Sequence, residues 1–115
     1  MKTAIIGSRS IQDYNYLENI LKSLDFKITE IISGGAKGVD TLAEIYSFSN
    51  SIPITKILPE WDKYGRGAGL VRNTSIIKES DVVIALWDGK SKGTLDSINK
   101  AHKLGKKVFI FKYGQ

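Results

Sequence analysis

Five short runs limit what this chain can fold into. Residues 3–7, 30–33, 54–58, 82–87 and 107–112 are rich in Ile, Val and Phe and are nearly continuous in their apolar character. A strand with one wet face alternates polar with apolar side chains, whereas a continuous run is covered on both faces. The covering layers are legible between the runs. Leu17, Ile20, Leu21 and Leu24 recur at three and four, which predicts a helix over 13–24 with Asp13 as its N-cap. Val39, Leu42, Ala43 and Tyr46 mark a second helix that fades before Asn50 and Pro53. A third is predicted over 68–79, burying Leu70, Val71, Thr74 and Ile77, and a fourth over 94–104, burying Leu95, Ile98 and Ala101 ahead of Gly105. Strand and helix alternate throughout, with no hairpin signal. The expectation is an α/β, Rossmann-like three-layer sandwich with a five-stranded parallel sheet, in one domain over residues 1–115.

Composition narrows the chemistry. There is no Cys and one His, which removes disulfides, thiolate nucleophiles and zinc or iron–sulfur centres. No metal and no cofactor are expected. His102 reads as a surface residue. The longest apolar runs fall far short of the roughly 18 to 20 residues that cross a bilayer, and the apolar start is too short for a secretion signal. The reading is a cytoplasmic chain without a membrane partner. Seventeen Lys and Arg against twelve Asp and Glu give a net charge of +5 and favour an anionic partner. Lys100, Lys103, Lys106 and Lys107 suit a solvated helix end near its negative pole.

Right-handed crossovers bring the loops after the strands to one edge of the sheet. Gly7-Ser8-Arg9 follows the first strand. After the second, Ser33-Gly34-Gly35-Ala36-Lys37-Gly38-Val39-Asp40 opens a helix, so its backbone N–H groups converge at a positive helix end where an anion would sit. The expected phosphate donors are the N–H groups of Gly34, Gly35, Ala36 and Gly38, with the hydroxyls of Ser33 and Thr94. Gly93-Thr94-Leu95-Asp96 repeats that logic after the fourth strand, beside Trp87. Between strands three and four, residues 60–73 form an aromatic, basic, Gly-rich connection. Trp61 or Tyr64 could stack a base there, and Arg66 and Arg72, next to Asn73, could pair phosphate in a forked geometry. Ile45, Phe48 and Ile76 fall off the buried stripes, and a homodimer or larger assembly is expected.

These four segments, in order and spacing, resemble the SLOG superfamily of Rossmann-like domains, named for Smf/DprA and the LOG enzymes, and in particular its small stand-alone YspA-like members. The resemblance implies a nucleotide-derived ligand at the strand C-terminal edge, such as an ADP-ribose or NAD relative or a cyclic nucleotide-type signal, that the protein senses or sequesters. LOG enzymes instead cleave the N-glycosidic bond of a nucleoside 5′-monophosphate with a helix-borne Glu. Here Ser97 occupies that position, and a hydroxyl cannot replace the carboxylate. Asp96, one residue early and about 100° round the helix, is the catalytic candidate if the protein is a hydrolase. Single-stranded DNA binding in the manner of DprA stands third.

Overall fold

The computed structural model describes residues 1–114. Strands β1 (Lys2–Gly7), β2 (Glu30–Ser33), β3 (Ile54–Lys56), β4 (Val82–Trp87) and β5 (Lys107–Lys112) form one sheet in the order β3-β2-β1-β4-β5. Every pair is parallel. The chain builds outward from β1 to β3 and then returns to lay β4 against the other side of β1. Thr3 to Gly7 stand beside Val82 to Leu86 in register.

Helices α1 (Tyr14–Lys22) and α2 (Val39–Ser49) cover one face. Leu17, Ile20, Val39 and Leu42 meet Ile5, Ile31, Ile84 and Leu86 there. Helices α4 (Ala68–Glu79) and α5 (Lys92–Lys103) cover the other, where Ile76, Ile77, Ile98 and Ala101 meet Ala4, Ile6, Val83 and Ala85. Neighbouring residues of β1 and β4 thus enter different cores, which is the physical content of their unbroken apolar runs. At about 25 cal/mol per Å² of apolar surface, each fully buried Ile or Leu contributes roughly 1.5–3 kcal/mol before entropy is subtracted.

Four expectations need correction. Strand β3 ends at Lys56, and Leu58 is exposed, although the Ile57 N–H still donates to the Ser33 carbonyl at 2.8 Å. Leu70, Val71 and Leu95 are exposed, while Ile76, placed by the sequence on a free surface, is buried. The α4 and α5 pattern admits more than one apolar stripe, and the choice fell to the one that fits β1 and β4. Helix α5 starts two residues earlier than expected because Ser91 is its N-cap, its hydroxyl accepting from the Thr94 N–H at 3.3 Å. The stretch 60–67 is not open loop: α3 (Trp61–Tyr64) and a 3₁₀ turn (Gly65–Gly67) run directly into α4. Among the described residues, no helix is long and apolar enough to cross a membrane.

Candidate functional site

The strand order reverses between β1 and β4, and the loops that follow these two strands part there. In open α/β sheets such a reversal leaves a crevice at the strand C-terminal ends. A cleft of about 260 Å³ occupies it.

Two carboxylates organise the loops around it. Asp88 accepts N–H bonds from Lys90 and Ser91, both at 2.8 Å, and the Ser10 hydroxyl at 2.8 Å, so it holds the β4–α5 loop and ties it to the β1 loop. The Asp88 N–H in turn donates to the Ser8 hydroxyl oxygen at 3.0 Å. These donors hold the Asp88 carboxyl down to about 2, the Lys90 and Ser91 N–H groups having the largest effect. Asp40, in the first turn of α2, accepts the Ala36 N–H at 3.0 Å. It is only 8% exposed, and burial outweighs the Ala36 bond and the nearby Arg72 guanidinium, raising its pKa above the ordinary carboxylate value.

The Gly-rich loop therefore carries its own anion. Ala36 is turned to Asp40, and Gly35 donates weakly to the Ser33 hydroxyl oxygen at 3.5 Å. Gly38 is demanded twice over: its φ is +74°, and a Cβ there would come within 2.5 Å of the Ser8 carbonyl oxygen. Gly34 lets Arg72 in, since a Cβ would stand 2.6 Å from Nη1. That Nη1 donates to the Gly34 carbonyl at 2.7 Å, and Nε donates to Asn73 Oδ1 at 3.1 Å. Two of the five guanidinium N–H groups are thus fixed internally, which sets the plane in which the others meet the cleft. Burial lowers the Arg72 pKa, with Asp40 opposing and Arg9 reinforcing the shift.

Of the residues singled out from sequence, Gly7, Arg9, Ala36, Asp40, Trp61, Arg66, Arg72, Asn73, Gly93 and Thr94 line this cleft. Ser8, Ser33, Gly34, Gly35 and Gly38 shape the loops around it. Three others are directed elsewhere. Tyr64 lines a smaller groove with Leu58 and Val71. Trp87 spends its indole N–H on the Ser91 carbonyl at 3.0 Å. Asp96 accepts from Asn73 Nδ2 at 3.2 Å and pairs with Lys100 at 2.8 Å, while its neighbour Ser97 faces the cleft.

Sequence reasoning passed over Asp88 as a loop organiser and Ser91 and Ser97 as lining residues. Each had a signal. Asp88-Gly89 is a turn dipeptide whose side chain can bond the backbone ahead of it, and Ser91, Thr94 and Ser97 are spaced by three, which places them on one helix face.

Comparison with known proteins places this geometry. No curated protein matches the chain. The X-ray structure of DNA processing protein A (DprA) from Streptococcus pneumoniae superposes with a TM-score of 0.78 at 23% identity, over 95% of this chain and 49% of that one. The two share a fold, and this chain spans about half the length of DprA. The sequence model of YAcAr, the YspA, cpYpsA-related SLOG family, matches residues 1–64, more than half of the 115, and includes both the Gly7-Ser8-Arg9 turn and the Gly-rich loop. The chain, with its strand-end cleft, belongs to that family.

Proposed function

We propose that the cleft binds a phosphorylated, nucleotide-derived small molecule, of ADP-ribose, NAD-related or cyclic nucleotide type, and that the protein acts by sensing or sequestering it. One observation carries this reading: Arg9, Arg66 and Arg72 converge on a single cleft in which Asp40 is the only carboxylate lining the walls. Guanidinium groups are donors only and match phosphate in a forked geometry. With the Ala36 N–H bound to Asp40, that backbone donor is withdrawn from the anion, and these side chains take a larger share of its recognition. Trp61, 58% exposed at the rim, offers a face to a base.

The alternative of N-glycosidic hydrolysis in the LOG manner needs a helix-borne carboxylate at the α5 position that Ser97 occupies. Asp96 is engaged by Asn73 and Lys100, and Ser97 stands at the cleft instead. The binding reading therefore ranks first. Native mass spectrometry of protein purified from cells, followed by heat release, should yield a bound nucleotide. Incubation with NAD, ADP-ribose or nucleoside monophosphates should return them intact on chromatography, and release of free base that Asp96→Asn abolishes would reverse the order. Self-association is proposed through α2, where Ile45 and Phe48 are exposed, Phe48 to 88%; a monomeric mass in light scattering at micromolar concentration would count against it.

A further inference from the structure

The cleft has two chemically different ends. Arg9, Arg66 and Trp61 are exposed at its mouth, whereas Asp40, Thr94 and Ser97 are buried within it. Ser91, Thr94 and Ser97 form a row of hydroxyls along α5. The first two satisfy each other, with 3.0 Å between their oxygens. The third does not. Ser97 is 4% exposed as a residue and lines the cleft; no described residue hydrogen-bonds its hydroxyl, whose oxygen still reaches the cleft solvent. A hydroxyl that the protein leaves unpaired and that opens onto a cleft is available to hydrogen-bond a ligand group there.

Asp40 adds the complementary half. Its carboxylate has more acceptor capacity than the Ala36 N–H and the Ser33 hydroxyl use. A carboxylate repels a phosphate and accepts only from O–H or N–H donors, so the phosphate belongs with Arg9 and Arg66 at the mouth, and an uncharged, donor-bearing part of the ligand belongs beside Asp40 and its neighbour Arg72. In a nucleotide whose base stacks at the rim and whose phosphate meets the guanidinium groups, that part is the sugar.

We propose that Ser97 and Asp40 read the ribose hydroxyls of the ligand and make the site selective for ribonucleotides over their deoxy counterparts. The assignment rests on the nucleotide reading of the cleft. A site built to hydrogen-bond a substrate hydroxyl rejects the analogue that lacks it, because its own buried groups are then left unpaired.

Calorimetric titration with adenosine 5′-monophosphate and its 2′-deoxy and 3′-deoxy analogues tests this. Wild type should bind the ribonucleotide about tenfold more tightly than at least one deoxy form. Ser97→Ala should erase most of that advantage by weakening only the ribonucleotide, with no loss in thermal midpoint, since it removes an unpaired hydroxyl. Ser97→Thr, which keeps the hydroxyl, should retain the advantage. Asp40→Asn should reduce it while its amide oxygen still accepts from Ala36. Equal affinities of wild type for all three nucleotides, or equal weakening of all three by Ser97→Ala and Asp40→Asn, overturns the assignment of these residues and leaves the nucleotide site standing. Failure of wild type to bind any of these nucleotides or ADP-ribose overturns both.

Discussion

The loop after β2 and the loop after β4 solve the same local problem in different media. Each leaves a buried parallel strand, turns through a positive-φ glycine and enters a helix, and each is held by an aspartate that accepts backbone N–H bonds. Around Asp40 the surroundings are protein: Gly34 and Gly38 are buried, Arg72 crosses from α4, and the Ser8 carbonyl presses on Gly38. Around Asp88 they are largely solvent, and an added Cβ at Gly89 or Gly93 would meet nothing within 4 Å. The two carboxyls consequently shift in opposite directions. Hydrogen bonds win where water is near, and desolvation wins where it is not. The inner loop is set by what packs on it; the outer one is a local turn.

Substituting the glycines should separate the loops most sharply. Gly38→Ala combines a backbone region closed to side chains with overlap against Ser8 and Arg9, and should cost about 3 kcal/mol or more in urea denaturation. A loss below 1 kcal/mol would mean that the inner loop relaxes as freely as the outer one.

Next in size is Arg72→Ala, which removes the donor to the Gly34 carbonyl and one of three cleft guanidinium groups. Nucleotide affinity should fall about ten- to a hundredfold. Arg66→Ala, on an exposed turn with no bond to fix it among the described residues, should cost less in the same titration.

The pH dependence of stability should carry both signs. The folded pKa of Asp40 is raised, so ionised Asp40 opposes folding above that pKa, and stability is gained as pH falls from there toward the unfolded value near 3.9. The folded pKa of Asp88 is depressed to about 2, so its contribution is full above the unfolded value and is lost as pH falls from there through about 2. Denaturant midpoints taken in pH steps should show Asp40→Asn flattening the upper window and Asp88→Asn the lower. Both variants acting in one window would dissolve the contrast.

The smallest effect belongs to Gly93→Ala in the first turn of α5. With open space around it, stability should stay within about 0.5 kcal/mol of wild type or rise slightly.

Sheet, layers and strand-end loops were legible in the order of residues, because continuous apolar runs and three-to-four spacing are local signals that report burial directly. Four strands and helix α4 stand where the pattern placed them, to within a residue. Which stripe of α4 turns inward, the capture of Ala36 by Asp40, and the separation of Asp96 from Ser97 were decided by tertiary structure. These depend on residues far apart in the chain: Arg72 reaches Gly34 across 38 positions and Asn73 reaches Asp96 across 23. A linear pattern shows which groups are available to bond. Only the packed sheet, by excluding water from some of them and not others, determines which bonds form.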